Sequence, residues 1–354
     1  MKKLKYILLL SLCFFHGWLH SQLVKPNDPN WTLIFEDNFS TVDRTKWTIK
    51  DDCESWERVD TFMTYRDHTN NVSASGGLLH LKLTQTTHKN RPFSSGYILS
   101  KNEFGKGCFY ELRTKYDESK GPMWPTFWAW SGWRTYPGEV SPCDYQEIDF
   151  FDNTLWPKSE FNASCNQVGG IWCKTNHTTK TVSYFKVKPF KDIYYGLNSF
   201  NTHQCLWLGS KITHFVNDIE YLNYPNFSYS LNKPMQITIR LQNGVTNHRD
   251  YITSSAHYQT EYNKLLANVG YDFQLDYLRI WKLKKDCNTV VNDIPNWNTY
   301  VWGLKKKINL SGATTFASNA SRYLYSIDGF DLNTGFEVSN SCSLELWTIP
   351  DCDF

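Results

Sequence analysis

The chain has 354 residues, of which 41% are hydrophobic and 16% aromatic, and its formal net charge is +2 at pH 7. So many aromatic side chains supply ample surface to bury, which excludes a largely disordered chain. A nearly neutral protein lacks the positive field that holds a nucleic-acid backbone, so we expect no nucleic-acid partner. The length suits one large β domain with an appendage.

The first 21 residues have the order of a secretory signal. Three lysines precede the apolar stretch Tyr6–Phe15, and a short polar segment ends at Ser21. This order predicts a signal peptide over residues 1–21 and an exported protein, either extracellular, on the cell surface or periplasmic. A buried N-terminal helix or strand is the less favoured alternative. After this segment there is no run of about twenty apolar residues, so we expect no membrane span in the mature protein.

Nine cysteines follow the predicted signal peptide, and export places them where disulfides persist. An odd number leaves at least one of them unpaired within the chain. Cys108 and Cys205 lie within alternating apolar runs, which predicts buried free thiols. The pairs that we favour flank a polar loop with two glycines and the last strand-like run: Cys165 with Cys173, and Cys342 with Cys352.

Alternation of apolar and polar residues is the dominant pattern of the chain, and it predicts strands. Turn residues such as Ser75-Gly76-Gly77 separate the runs, and the one helix-like stretch of note is Thr260–Ala267. Many strands, few helices and no βα alternation predict an all-β antiparallel sandwich. The clearest strand-like runs are Leu78–Leu83, Cys108–Arg113, Met235–Leu241 and Phe273–Leu283.

A change of composition after Leu283 divides the chain. We predict a main sandwich domain over residues 22–284, a linker over 285–300, and a small β module over 301–354. Short strand-like runs resume in the last part, with Gly329 and Gly335 between them. For this module, surface attachment and glycan contact are alternatives to the favoured interpretation, which is a stabilising cap.

The chemistry is concentrated in the hexapeptide Glu147-Ile148-Asp149-Phe150-Phe151-Asp152. Alternate side chains of a strand share one face, so Glu147 and Asp149 point the same way while Ile148 points into the core. Asp152 is one residue out of step, and a β-bulge would return it to the face of the other two acids. Retaining glycoside hydrolysis requires two such carboxyl groups about 5–5.5 Å apart, one ionised and one protonated. An ordinary solvated acidic strand is the alternative.

Tryptophans precede the acids. Trp124 and Trp128 are candidates for exposed rings that stack on sugars, because indole packs on the apolar C–H faces of a pyranose. The alternative is that these rings belong to the core, and for Trp130 and Trp133 the two interpretations have equal weight.

The ordered set of motifs resembles glycoside hydrolase family 16 over about residues 31–283. The resemblance implies a concanavalin A-like β-jelly-roll with a carbohydrate cleft, and retaining hydrolysis or transglycosylation of β-linked glucans or galactans. A polysaccharide is therefore the implied partner. The motifs that carry the resemblance, besides the acidic hexapeptide and the tryptophans before it, are Trp31–Phe39, Asn71-Val72, Ser95–Lys101, Gly107–Arg113, Phe200–Trp207 and Leu275–Trp281.

The resemblance also assigns roles to particular residues. It implies that Glu147 is the nucleophile, that Asp149 is the supporting carboxylate, and that Asp152 stands where the family has its acid/base. By the same resemblance, three residues line the donor side of the cleft: Trp124, Trp128 and Asn71. Catalysis of this kind requires no cofactor.

Two departures from the family pattern bear on function. Asp152 stands in place of the usual Glu, and its shorter side chain retracts the carboxyl by roughly 1.5 Å, which slows proton delivery unless the backbone advances. Asn38 replaces the Glu of the opening segment. In relatives that Glu, with the Asp matching Asp276, can help hold a calcium ion, and an Asn oxygen ligates calcium with less charge. Structural calcium is thus an option, and no metal ligand is assigned.

These observations favour a secreted, endo-acting, retaining β-glycoside hydrolase that works as a monomer. The leading substrate is β-1,3-linked or mixed-linkage glucan, and an algal galactan is the runner-up. The main alternative is a carbohydrate-binding protein derived from such an enzyme, with catalysis weakened at Asp152. A purely structural surface protein is the third possibility. The retention of both Glu147 and Asp149 favours the enzyme, because a binding protein has no need to keep repelling carboxylates together.

Overall fold

The computed structural model describes most of the sandwich and part of the C-terminal region. The predicted signal peptide, Cys165, Cys342 and Cys352 lie outside the described residues, and at Asp152 and along residues 166–175 and 179–189 only the backbone is described. The described residues are 28–52, 62–117, 123–132, 145–152, 166–175, 179–189, 198–208, 211–224, 233–243, 255–292, 294, 303–311, 313–314, 321–333, 337–338 and 343–348.

The main domain is built from strands and one helix among these residues. In chain order they are β1 (Trp31–Asp37), β2 (Trp47–Ile49), β3 (Met63–Tyr65), β4 (Val72–Ser75), β5 (Leu78–Lys82), β6 (Phe93–Ser95), β7 (Tyr97–Phe104), β8 (Cys108–Lys115), β9 (Met123–Trp130), β10 (Tyr145–Asp152), β11 (Asn166–Thr175), β12 (Thr179–Pro189), β13 (Asn201–Leu208), β14 (Lys211–Val216), β15 (Ile219–Tyr224), β16 (Met235–Asn243), α1 (Ser255–Ala267) and β17 (Asp272–Leu283).

Apart from β3 and β6, which form a separate two-stranded parallel sheet, these strands form two antiparallel sheets. The eight-stranded sheet has the order β15-β14-β13-β8-β17-β5-β4, with β1 also paired to β17, and the seven-stranded sheet has the order β12-β11-β10-β9-β16-β7-β2. The predicted all-β jelly-roll sandwich is confirmed, and all four strand-like runs named from the sequence are strands. The tight β4–β5 hairpin turns at Gly76 and Gly77, whose φ angles of 61° and 77° favour glycine.

The core lies between the two sheets and follows from the alternation of each strand. Ile237, Ile239 and Leu241 of β16 are fully buried, as are Leu278 and Ile280 of β17. The residues between them point to the outer faces. This alternation determines which side chains of the seven-stranded sheet are available for chemistry.

The predicted helix is confirmed and begins five residues earlier than expected, at Ser255. Its Leu265 is buried in the core, and Tyr262 packs against Phe93 with ring centroids 5.1 Å apart. Among the described residues, no helix is long and apolar enough to cross a membrane.

The C-terminal region consists of parallel strands that pack on the eight-stranded sheet. Their bounds are β18 (Lys285–Asn292), β19 (Leu304–Leu310), β20 (Ala313–Thr314), β21 (Ser321–Ser326), β22 (Phe330–Leu332), β23 (Glu337–Val338) and β24 (Ser343–Thr348). Strands β18, β19, β21 and β24 form one parallel sheet. Strand β18 occupies the first half of the segment that we predicted to be a linker.

The outer face of the eight-stranded sheet holds the C-terminal strands through an apolar cluster. Leu304 and Tyr325 are buried against Trp31, Phe109 and Trp281 of the sandwich. The rings of Trp31 and Tyr325 lie edge to face with centroids 6.0 Å apart, and the indole nitrogen of Trp31 donates a hydrogen bond of 3.3 Å to the Tyr325 hydroxyl. The module therefore packs on the outer face of the sandwich through a separate apolar cluster and is not held by polar contacts alone.

The cysteine predictions divide into two groups. Cys108 and Cys205 are free and buried, as predicted, and burial raises the pKa of both thiols. The favoured disulfide pairs stay predictions, because at least one member of each lies outside the described residues.

Candidate active site

The acidic hexapeptide forms strand β10, which contains the β-bulge that the sequence predicts. In its pairing with β9, Asp149 lies opposite Trp128 while Phe151 lies opposite Phe127. Phe150 is therefore the additional residue on β10, since two residues of one strand oppose one residue of its neighbour. The bulge restores the register so that Asp152 pairs with Thr126.

The two consecutive phenylalanines explain why the strand bulges here. Both rings are buried in the core, which a regular strand cannot achieve for adjacent residues. Phe150 stacks on Tyr110 at 4.7 Å, and Phe151 stacks on Tyr116 at 5.5 Å and on His203 at 4.2 Å between centroids. The hydrophobic effect on these two rings thus sets the position of the acid that follows them.

The bulge places the three acidic positions on the outer face of the seven-stranded sheet, the face turned away from the other sheet. Glu147 is half-buried, and Asp149 is only 4% exposed. For Asp152 the structure describes only the backbone. This position pairs with Thr126, and the register puts it on the same strand face as Glu147 and Asp149. The predicted gathering of three acids thus has the backbone geometry that it requires. Their catalytic roles stay predictions.

The start of β10 is fixed by hydrogen bonds to residues next to two other strands, Ser131 after β9 and Lys233 before β16. The backbone N–H of Gln146 donates to the hydroxyl of Ser131, and the backbone N–H of Ser131 donates to the carbonyl of Gln146, both at 2.9 Å. The side-chain oxygen of Gln146 accepts a hydrogen bond of 3.0 Å from the backbone N–H of Lys233. Glu147 therefore follows a residue that is buried and held on both sides.

Beneath the acids lies an uncharged layer. Burial lowers the pKa of His203 to about 3, so that this ring, stacked on Phe151, is neutral at ordinary pH. A neutral ring gives the carboxylates above it no cationic partner from the core side.

Trp124 and Trp128 lie on the face that the prediction requires, but they are less exposed than expected. Their neighbours Met123 and Phe127 point into the core, so the two indoles point outward. Trp128 is only 5% and Trp124 only 9% exposed. The Trp128 ring is covered by Trp130, whose centroid is 5.5 Å away. The prediction of exposed rings for stacking on sugars is therefore wrong for Trp124 and Trp128 in this structure.

Several polar atoms of the outer face are buried without a hydrogen-bond partner among the described residues, and three of them lie beside the acids. These three are Nε1 of Trp128 and the hydroxyls of Thr126 and Thr238. Trp128 lies opposite both Asp149 and Thr238, and Thr126 lies opposite Asp152. Buried polar groups are nearly always hydrogen-bonded in folded proteins, so these atoms are suited to accept a ligand rich in hydroxyl groups.

The acids are flanked on the other side by β11, which we predicted to be a loop. Gly170 pairs with Asp149 in the regular antiparallel ladder between β10 and β11. The prediction of a polar loop around the two glycines is therefore wrong, and the reason is that an internal strand opposite a crowded position tolerates glycine.

Asn71 does not lie on this face. It is fully buried, and its amide nitrogen donates to the carbonyls of Lys82 and Ser94 and to the hydroxyl of Thr84, at 2.9–3.1 Å. Its oxygen accepts a hydrogen bond from the Ser94 hydroxyl at 3.3 Å. These bonds tie β5 to β6, so we do not retain the predicted substrate contact of Asn71.

The two residues implicated in calcium binding, Asn38 and Asp276, have other partners in this structure. Asp276 forms a salt bridge with Arg113, whose guanidinium would compete with a divalent cation for the carboxylate. The side-chain oxygen of Asn38 accepts a hydrogen bond from the backbone N–H of Ser40 at 3.2 Å. Among the described residues, no group of three or more His, Cys, Asp or Glu side chains is arranged to hold a metal ion.

Sequence analysis missed three residues of the outer face. Arg240 on β16 is buried among the rings of Tyr65, Tyr97 and Trp128. The signal was present, because Arg240 alternates with Ile239 and Leu241 and is therefore predicted to point outward with the acids. Tyr65 and Tyr97 carried no comparable signal, since their contact depends on how the short parallel strands β3 and β6 pair.

The fold of this chain is shared with solved polysaccharide-degrading enzymes. No model of a known protein family matches the chain, and no curated protein matches its sequence. The structures that it resembles include the kappa-carrageenase from Zobellia galactanivorans (TM-score 0.55, 19% identity, 74% of this chain and 99% of that chain) and the laminarinase from Rhodothermus marinus (0.54, 18%, 72% and 98%). A third is a mixed-linkage glucan GH16 protein from Bacteroides ovatus with a bound product (0.52, 18%, 70% and 99%).

These similarities cover the sandwich and nearly the whole of each matched structure. At such low identity they establish that the fold is shared. They do not transfer a substrate or a residue's role.

Proposed function

We propose that the protein is a secreted, endo-acting, retaining β-glycoside hydrolase that cleaves a β-linked polysaccharide. Glu147 attacks the anomeric carbon and forms a glycosyl-enzyme intermediate, and the acid at position 152 first protonates the leaving oxygen and then activates water. Asp149, between them on the same face, orients and polarises its neighbours. Glucans and galactans are the two candidate substrate classes.

The bulge at Phe150 is the observation that carries this proposal. A regular strand would send Asp152 into the core, where an acid next to two phenylalanine rings would be strongly destabilising. The bulge instead gathers three acidic positions on the outer face, opposite Thr126, Trp128 and Trp130. The shared fold with laminarinase and carrageenase structures supports a glycan as the ligand of this face.

A carbohydrate-binding protein with weakened catalysis is the second candidate, and one observation favours it. Aspartate at position 152 has a shorter reach than the glutamate of the family that the sequence resembles. The buried polar atoms of Trp128, Thr126 and Thr238 suit a binding protein as well as an enzyme.

The test is product analysis with purified mature protein on laminarin, lichenan, xyloglucan, agarose, porphyran and carrageenan. We expect oligosaccharides of several lengths from at least one polymer early in the reaction, which identifies endo cleavage. Glu147→Gln should release none, while Glu36→Gln on β1 of the other sheet should act as wild type. Binding of a polymer without cleavage by wild type would contradict the enzyme and support the binding protein.

A further inference from the structure

A serine, a histidine and an aspartate form a chain of hydrogen bonds on the outer face of the eight-stranded sheet. His80 of β5 is 8% exposed and lies between Leu79 and Leu81, which point into the core. Its Nδ1 is 2.8 Å from a carboxylate oxygen of Asp272 at the start of β17. Its Nε2 is 3.0 Å from the hydroxyl of Ser75 at the end of β4. The three strands are neighbours in this sheet, whereas the acids of β10 belong to the other sheet.

The hydrogen bond to Asp272 determines which nitrogen of the imidazole carries the proton. A carboxylate can only accept, so Nδ1 of His80 donates, and Nε2 of the neutral ring is left as an acceptor. The hydroxyl of Ser75 is then the donor to Nε2. The carbonyl oxygen of Ser75 lies 3.3 Å from the same nitrogen, but it has no proton to donate. His80 is therefore placed to take the hydroxyl proton as a general base.

The aspartate is itself held by a further hydrogen bond. The oxygen of Asp272 that contacts His80 also accepts a hydrogen bond of 2.9 Å from the side-chain amide of Gln274. Gln274 lies on β17 directly opposite His80. These bonds orient the carboxylate and, through it, the imidazole. An aspartate in this position holds the tautomer of the histidine and stabilises the imidazolium that forms during acyl transfer.

The serine stands at a hairpin turn that leaves room for a substrate. Ser75 is exposed and is followed by Gly76 and Gly77, whose φ angles are both positive. Apart from the chain neighbours, no described atom lies within 4 Å of the place where a Cβ would stand on either glycine. The hydrogen bond that closes such a turn uses neither central N–H group. A backbone N–H directly after the nucleophile is one of the oxyanion donors in α/β-hydrolases, and Gly76 supplies that group here.

The surroundings favour a small substrate, and the hairpin does not need the serine. Two glycines with positive φ already determine the turn and the register of β4 with β5. On the same outer face, Lys82 pairs with Asp272 and Gln274 pairs with His80. Polar neighbours of this kind offer no apolar surface to a long acyl chain. The exposed hydroxyl is therefore suited to the carbonyl group of a short acyl ester.

We propose that Ser75 and His80 form a second catalytic site, a serine esterase for short acyl groups such as acetyl, with Asp272 as its positioning residue. The Oγ atom of Ser75 bonds to the carbonyl carbon of the ester while its proton passes to Nε2 of His80. The bond between that carbon and the alcohol oxygen then breaks, and His80 gives the proton to the leaving oxygen. Water, which gives a proton to His80, attacks the acyl-serine. The acyl group leaves as a carboxylic acid and the serine regains its proton.

The test is hydrolysis of 4-nitrophenyl acetate by the purified mature protein. The kcat/KM of wild type should exceed that of Ser75→Ala and of His80→Gln by at least about 50-fold, because each change removes a reacting group. Wild type should also hydrolyse the acetate faster than 4-nitrophenyl octanoate. The matched control is Ser73→Ala, which removes a hydroxyl from β4 opposite His80 and should act as wild type.

Two further measurements separate catalysis from a bracing role of the hydrogen bonds. Asp272→Asn should lower kcat at least about tenfold with KM within about twofold, since it changes the tautomer of His80 and not the binding of the ester. Phenylmethanesulfonyl fluoride reacts with serines that a neighbouring base activates. It should label the tryptic peptide 67–82 of wild type and of Ser73→Ala, and leave that peptide unlabelled in Ser75→Ala and His80→Gln.

The outcomes decide this inference independently of the proposed function, because these esters contain no glycosidic bond. If Ser75→Ala hydrolyses the acetate as fast as wild type, or if peptide 67–82 of wild type takes no label, the three residues only brace the hairpin and the inference is wrong. Octanoate hydrolysed as fast as acetate would overturn the assignment to short acyl groups. None of these results bears on cleavage of a polysaccharide by the acids of β10.

Discussion

Two regions on the outer faces of the sheets have opposite characters, although the same alternation produces both: the part of the eight-stranded sheet under the C-terminal strands, and the part of the seven-stranded sheet that carries the acids. On the eight-stranded sheet, Phe109, Leu206 and Trp281 point outward and are covered by Leu304 and Tyr325 of the C-terminal strands. The outer face of the seven-stranded sheet instead presents acids, a buried arginine and polar atoms that lack partners among the described residues. The first face is completed by the chain itself, and the second is suited to a ligand.

This difference separates stability from function within one sandwich. Changes on the covered face should alter the free energy of unfolding and leave catalysis intact, and changes on the other face should do the reverse. The effects of the following changes on catalysis and on the free energy of unfolding are ordered from the largest to the smallest.

Glu147→Gln should lower kcat by at least about 10⁴-fold, because an amide cannot form the glycosyl-enzyme intermediate. The free energy of unfolding should change by less than about 0.5 kcal/mol, as for other substitutions away from the core. Initial rates and urea unfolding measure the two quantities. Activity within tenfold of wild type would mean that another residue is the nucleophile.

Tyr325→Ala should destabilise the protein by about 3–5 kcal/mol, because it removes a fully buried ring that packs against Trp31. Tyr325→Phe should cost only about 1 kcal/mol, the value of its hydrogen bond with the Trp31 indole. At a temperature where both variants are folded, kcat/KM should equal that of wild type. An unchanged free energy of unfolding in Tyr325→Ala would show that packing of the C-terminal module does not stabilise the sandwich.

Asp152→Asn should lower turnover of a natural glycan about 100-fold, since the group can no longer donate a proton. Asp152→Glu should raise turnover, because the longer side chain reaches further toward the glycosidic oxygen. A substrate with an activated leaving group needs little protonation, so Asp152→Asn should lower the rate of glycosylation by that substrate much less. An unimproved Asp152→Glu together with a harmless Asp152→Asn would contradict the assigned acid.

The buried histidines should make stability depend on pH. Burial lowers the pKa of His203 and of His214 to about 3 from an unfolded value of 6.5. The unfolded chain therefore binds more protons between these values, and each histidine lowers the free energy of unfolding by about 1.4 kcal/mol per unit as pH falls below 6.5. Burial raises the pKa of Glu111, which contributes in the opposite sense above pH 4.5.

Urea unfolding of wild type and His214→Gln at several pH values between 4 and 7 tests this slope. His214 is the better choice because it lies on β14, whereas His203 stacks on Phe151 beneath the acids. In the variant, the free energy of unfolding should depend less steeply on pH, by the contribution of one histidine. Equal slopes would show that His214 is protonated in the folded protein.

Alternation made much of the fold predictable, including the strand β8, the strand β17 and the all-β class. It also made the bulge predictable, because Asp152 is one residue out of step with Glu147 and Asp149 on a regular strand. The local pattern gave wrong predictions where the pairing of strands determines the surroundings of a residue. The sequence predicted Gly170 to lie in a loop, but it belongs to β11, which pairs with β10. It predicted Asn71 to line the cleft, but the amide of Asn71 bridges β5 and β6.

Arg240 shows the same limit within the site. Its outward direction follows from alternation along β16, but its aromatic box is assembled from β3, β7 and β9. Contacts between residues so far apart in the chain are set by sheet order, which one sequence does not specify.

The stereochemistry of the first product tests the central claim most directly, that β10 carries a retaining pair of acids. Proton NMR of the reducing ends formed in the first minutes, on a polymer that wild type cleaves, resolves the two anomers before mutarotation. Double displacement through Glu147 predicts that the β-anomer appears first. Initial release of the α-anomer would show direct attack by water and would contradict the mechanism.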